Sequence, residues 1–182
     1  MSEEKTSLKQ IINFRKQKLN DLIDKGVDPF PHVFNPTHSS TEIIENFDNY
    51  NEKTVSVAGR IMSIRKMGKA CFCHIQDQPG RIQLYIKRDN IGEEAFSHFK
   101  LLDIGDFIGA SGYVFKTRMG ESSIHVEKLK ILSKSIRPLP IVKEKDGETF
   151  DTFEDKEQRY RNRHLDLIVN PEVKKVFSFR IL

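Results

Sequence analysis

The strongest constraint on the fold is a change of period at Thr54. Before it, apolar residues recur at helical spacing; from Thr54 to Leu132 they alternate. Successive side chains of a strand point to opposite faces, so a period of two marks half-buried sheet. Five segments carry it: "TVSVAGRIMSI", "ACFCHIQ", "RIQLYIK", "DFIGASGYVFK" and "SSIHVEKLKIL". The turn "DQPG" joins the second and third, and "TRMGE" the fourth and fifth. Between the third and fourth, "GEEAFSHFKLL" is helical in composition and spacing. Gly59, inside the long first segment, predicts a bulge or bend there.

Three strands, a helix and two more strands, with glycines at the bends, is the order of a five-stranded OB-fold barrel, a mainly β domain. Another small barrel or part of a sandwich is compatible with the same pattern. Upstream, residues 7–25 predict an amphipathic helix, with Leu8, Ile11, Ile12, Leu19, Leu22 and Ile23 in a stripe that Arg15 interrupts. Ser7 is its N-cap candidate, Gly26 its stop, and Pro29 and Pro31 forbid continuation. Residues 41–47 predict a short second helix. Residues 137–153 read as a linker rich in proline and charge, and "EDKEQRYRNRHLDLI" as one helix. Asn170-Pro171 opens a last helix, as N-cap and first helical residue. Its Val173, Val176, Phe177 and Ile181 form an apolar stripe with no later segment to pack on.

Charge narrows the partners. The net charge is +4 over 182 residues, but its distribution matters more. Residues 5–25 hold six bases (Lys5, Lys9, Arg15, Lys16, Lys18, Lys25) against two acids, and residues 52–136 hold 14 bases against 9 acids. Residues 26–51 hold four acids and no Lys or Arg. Basic stripes suit a polyanion, though a merely solvated surface has the same composition. No apolar run approaches the roughly 20 residues that span a bilayer, so no membrane partner is expected. The start, "MSEEKTSLKQ", is polar and lacks the apolar core of a secretory signal. Cys71 and Cys73 would share a strand face about 7 Å apart at Cα, too far to bridge. A cytoplasmic protein is the simplest reading.

The second and third strands carry the chemistry. In "ACFCHIQ" the apolar set Cys71, Cys73, Ile75 belongs inside, which leaves Phe72 and His74 outside. In "RIQLYIK" the inner set is Ile82, Leu84, Ile86 and the outer set Arg81, Gln83, Tyr85, Lys87. Arg65, at the end of the first strand, can reach the same face. An aromatic ring stacks an unpaired base, and an amide or guanidinium reads its edge. Glu121, in the last turn, can accept from a base N–H. A stray exposed Phe is the plainer reading of any one of them; their shared face is the argument. The two cysteines, turned inward, act as small apolar residues, and no metal site is expected.

The segments "GRIMSIRKMGKACFCHIQDQPGRIQLYIKRD", "GDFIGASGYVFKTRMGESSIH", "LSKSIRPLP" and "EQRYRNRHLDLIVNPEV" resemble bacterial-type class II lysyl-tRNA synthetases, from about residue 8 onward. The end of the first helix, "LIDKGVDPFP", is similar to their N-terminal extension. The relatives specific for aspartate and asparagine share the architecture, but "MGKA" and "GVDPFP" favour lysine. The resemblance implies a helical extension over residues 1–50, an anticodon-binding OB domain over 51–136, and a linker with the helical start of an α+β catalytic domain over 137–182. It implies that Phe72 stacks the central anticodon uridine and that Arg65, Gln83 and Glu121 recognise base edges. Lys9, Arg15, Lys16 and Arg81 are the expected backbone contacts. tRNA(Lys) is the implied partner, and a homodimer the implied parent enzyme. ATP and Mg2+ are implied for that full-length ligase only, since nothing here resembles its second and third class motifs. No catalytic residue and no aminoacylation are therefore expected of these residues alone. A stand-alone OB-fold module for single-stranded nucleic acid is the alternative.

Overall fold

The computed structural model describes residues 7–140, 143–145, 148–150, 153 and 155–181. Lys5 lies outside them. Five strands close into a barrel in the order β1-β2-β3-β5-β4: β1 Thr54–Met67, β2 Ala70–Gln76, β3 Arg81–Lys87, β4 Phe107–Lys116 and β5 Ser122–Ser133. All pairs are antiparallel except β3 with β5. Helices α4 (Arg88–Ile91) and α5 (Glu93–Phe99) connect β3 to β4. The expected OB-fold is borne out, with the three-strand, helix, two-strand order intact. Cys71, Cys73, Ile75, Ile82, Leu84 and Ile86 all point into the core, where Ile61, Ile108, Ile124 and Val126 meet them.

The break in β1 is not at Gly59. Gly59 stays in register opposite Ile108, and the bulge falls between Ile61 and Ser63. Both Ile61 and Met62 are buried there, which lets the strand turn from β4 to β2. Gly59 answers a different need. A Cβ on it would sit 2.8 Å from the Gln76 carbonyl oxygen, so close strand approach requires the glycine.

Helix α1 (Leu8–Asp24) begins at a capping box, Ser7 with Gln10, and stops where Gly26 takes a φ of 74°. The interruption of its stripe by Arg15 has a structural cause. Arg15 is 8% exposed, and its guanidinium donates to the carbonyls of Ile104 and Ser135. Lys18 pairs with Asp103 at 2.5 Å. The helix is thus docked on the barrel by charge as well as by Leu22. Two short helices, α2 (Ser40–Glu45) and α3 (Phe47–Tyr50), follow, and Asp77 of the "DQPG" turn accepts from both the backbone and the hydroxyl of Ser40.

The chain divides between Arg137 and Pro138 into two compact units. The segment expected to be pure linker contains a short hairpin, β6 (Lys143–Lys145) with β7 (Glu148–Phe150). The helix expected over "EDKEQRYRNRHLDLI" is two, α6 (Lys156–Arg161) and α7 (Arg163–Val169), because Asn162 leaves helical geometry at φ −118° and ψ 51°. Fully buried Asp166 explains that break's stability. It accepts from Arg159, Arg163 and Asn170. Helix α8 (Pro171–Ile181) starts at the expected proline, with the Asn170 carbonyl taking the first helical bond from Lys174. Of the expected stripe, Val176 is exposed, the Phe177 ring carries the Arg163 guanidinium at 5.3 Å, and the Ile181 side chain is outside those described.

Candidate nucleic-acid interface

Strand register builds two rows across the outer face of the barrel. In the first, Arg65, Phe72, Tyr85, His125 and Tyr113 are successive cross-strand partners. The Arg65 guanidinium lies 5.3 Å from the Phe72 ring centre, and Phe72 lies 4.9 Å from Tyr85. Tyr85 turns its edge to His125 at 5.1 Å, and His125 stacks on Tyr113 at 4.7 Å with planes 7° apart. The ring of Phe115 closes the cluster, 6.0–6.3 Å from its neighbours. Tyr85 packs edge to face on His125 and Phe115, and Phe72 joins the cluster through its tilted contact with Tyr85.

The second row is polar: Ser63, His74, Gln83 and Ser123, again successive partners. Glu121 reaches onto it from the β4–β5 turn, which is fixed by a bond from the Thr117 amide to the Glu121 carbonyl and by Gly120 at φ 85°. His74 Nε2 meets Glu121 Oε1 at 2.8 Å, and Gln83 Nε2 donates to Glu121 Oε2 at 2.5 Å. Ser123 Oγ donates to Gln83 Oε1 at 2.8 Å. The amide of Gln83 therefore has both ends held, and the residue is only 5% exposed. Being on the outer face did not make it solvent-accessible, because the parallel β3–β5 junction and Glu121 cover it.

The structure thus gathers Arg65, Phe72, Gln83 and Glu121 on one face. Arg81 is exposed at the far end of β3, where its Nε donates to Gln76 Oε1 at 2.9 Å. Lys9 and Lys16 are exposed on α1. Arg15 must be withdrawn from the expected backbone contacts. Its charge is buried and occupied by barrel carbonyls, so it cannot also meet a phosphate. Sequence reading passed over Tyr113, Phe115 and His125. The alternation that sorted β2 and β3 would have found them in β4 and β5. Burial pushes the His125 imidazole pKa down, against the charge of Glu127, and its buried Nδ1 has no hydrogen-bond partner. The buried thiols are inert for the reason foreseen: burial lifts Cys71 to about 11, against the charge of Lys66.

A closed barrel of this strand order is an OB-fold, here with an aromatic ring, a cation and a clamped carboxylate on its outer face. Residues 55–132 match the family described as "OB-fold nucleic acid binding domain". The motif resemblance to lysine–tRNA ligases is also borne out. The chain is 52% identical over 178 residues to the "Lysine--tRNA ligase" of one Porphyromonas gingivalis strain, covering 92% of this chain and 31% of that protein. To the enzyme of the same name from Pelotomaculum thermopropionicum it is 49% identical over 173 residues, covering 95% of this chain and 33% of that protein. The chain is similar to these lysine–tRNA ligases along nearly its whole length and spans about a third of theirs.

Proposed function

We propose that this chain selects tRNA(Lys) by its anticodon on behalf of a cytoplasmic, homodimeric lysine–tRNA ligase. The observation that carries this reading is the junction of the two rows, where the Arg65–Phe72 pair stands beside the Gln83–Glu121 pair. Phe72 supplies the stacking surface for an unpaired uridine. Glu121 supplies an acceptor for the uracil N3–H, and the Arg65 guanidinium a donor for its carbonyl oxygens. Exposed Lys9, Lys16 and Arg81 supply charge for the RNA backbone.

The chemistry of a complete ligase, with ATP and Mg2+, belongs to the same proposal. It is not assigned to these residues. Among those described, no three His, Cys, Asp or Glu side chains are grouped to hold a metal ion.

The test is a titration with an anticodon stem-loop at near-physiological salt. The UUU loop is compared with one whose central U is C, for the unmodified chain and for Phe72→Ala and Gln83→Ala. Under this reading the base change costs about 1–3 kcal/mol, and both substitutions reduce that preference. If the RNAs bind alike and affinity only fades with salt, the face is a sequence-blind basic surface of a stand-alone module.

A further inference from the structure

We propose that His74 is a positioning residue for base recognition, holding the Glu121 carboxylate in the orientation that reads RNA. The inference rests on the anticodon reading above, and adds to it a residue that touches no base. Three geometric facts support it. His74 Nδ1 is 2.9 Å from the Ser63 hydroxyl, His74 Nε2 is 2.8 Å from Glu121 Oε1, and Gln83 occupies the other carboxylate oxygen. With the proton on Nε2, one neutral tautomer satisfies both His74 contacts: Ser63 donates to Nδ1, and Nε2–H donates to Glu121. The orienting bond from Ser63 lies on β1 and the acceptor lies in the β4–β5 turn, so the imidazole ties an exposed turn to the rigid barrel.

Glu121 needs such a tie. Its side chain is 47% exposed, and a carboxylate on a turn would otherwise sample many rotamers. Each carboxylate oxygen accepts more than one bond. His74 and Gln83 take one from each, which fixes the plane and leaves the remaining lone pairs for a base N–H. Preorganisation of this kind raises selectivity without adding a contact to the ligand. The groups that face the imidazole are Glu121 from the turn, Gln83 from β3 and Ser63 from β1, with the Arg65 cation two residues along β1.

The experiment measures the affinity of this chain for the UUU stem-loop and for three loops with a single U-to-C change. It compares the unmodified chain with His74→Ala, His74→Gln and Glu121→Gln. We expect His74→Ala to lower the discrimination at one loop position by roughly five-fold, the position that Glu121→Gln also relaxes. His74→Gln, which keeps a donor, should restore most of it. Imidazole nitrogen NMR of the free chain should report the Nε2–H tautomer, a readout independent of variant folding. Discrimination unchanged in His74→Ala, or the opposite tautomer, would overturn the inference alone. Equal binding of all four loops by the unmodified chain would overturn the anticodon reading, and this inference with it.

Discussion

Phe72 and Tyr85 stand directly opposite one another on β2 and β3, their ring centres 4.9 Å apart and their planes inclined by 33°. The two rings have different duties. Phe72 meets only Tyr85 and the Arg65 guanidinium among the described ring contacts, whereas Tyr85 also braces Phe115 and His125. Phe72→Ala should therefore weaken binding of the UUU stem-loop by about 1–3 kcal/mol while leaving the melting temperature nearly unchanged. Tyr85→Ala should lower both. A calorimetric melt beside the RNA titration separates the two, and equal losses of stability would refute the division of labour.

Gly112 provides a test of the barrel itself. A Cβ there would lie within van der Waals overlap, 1.9 Å from the His125 carbonyl oxygen on β5. The neighbouring register shift between Ser111 and Gly112 shows how closely the two strands approach. Since the obstacle is backbone, no side chain can swing aside. Gly112→Ala should destabilise the barrel by about 3 kcal/mol or more, and should disturb the Tyr113–His125 stack next to it. Chemical denaturation followed by far-ultraviolet circular dichroism measures the first effect, and a wild-type midpoint would contradict the geometry.

The contrast between Gly112 and Gln83 shows what sequence could and could not reveal. Alternation placed β2 and β3 to the residue, and it put Phe72, Arg65 and Gln83 on one face. That signal is strong because core packing enforces it at every second position. It says nothing about lateral neighbours. Gln83 is on the outer face and yet buried, because the parallel β3–β5 pairing brings Ser123 and Glu121 to it from 40 and 38 residues away. Arg15 misled for the same reason. On a helical wheel it is a misplaced cation, and only the tertiary fold reveals the carbonyls of Ile104 and Ser135 that require it. Gly59 and Asn162 are local failures of a different kind. A glycine in a strand signals either a bulge or close approach, and an asparagine within a helical run gives little warning of a break.

The thiols should be silent in the native protein. Cys71 and Cys73 point into the core; burial lifts the Cys71 thiol to about 11, with the Lys66 charge offsetting only part of the rise, and raises the Cys73 thiol as well. Only the thiolate is nucleophilic, so at about pH 8 an aromatic disulfide reagent should leave both unmodified. In denaturant both should react at once. A native thiol that reacts within seconds would mean that the β1–β2 edge opens far more readily than its register implies.

Lys134 makes the sharpest prediction about stability and pH. Its side chain is fully buried between Asp103, at 2.6 Å, and Asp106, at 2.7 Å. Asp103 also receives Lys18 from α1, so a single cluster joins helix, barrel and the exit of β5. Burial alone would raise the Asp103 pKa. Hydrogen bonds from Lys134 and Lys18, with their charges, outweigh it and hold the carboxyl below its ordinary value. A group whose folded pKa is depressed stabilises the fold above its unfolded pKa, about 3.9 for Asp, and loses that contribution as pH falls through the folded value. Stability should therefore be level near neutrality and decline below about pH 4. Lys134→Met leaves the buried Asp106 and the partly buried Asp103 without their shared cation, and should cost about 3–5 kcal/mol at neutral pH. In that variant only Lys18 is left to oppose the burial of Asp103, so protonating that carboxyl costs less than in the wild type. The gap in stability between variant and wild type should narrow as the pH is lowered from about 6 to about 3. Urea denaturation across that range measures it directly, and a gap that stayed constant would show that the cluster carries no net charge coupling.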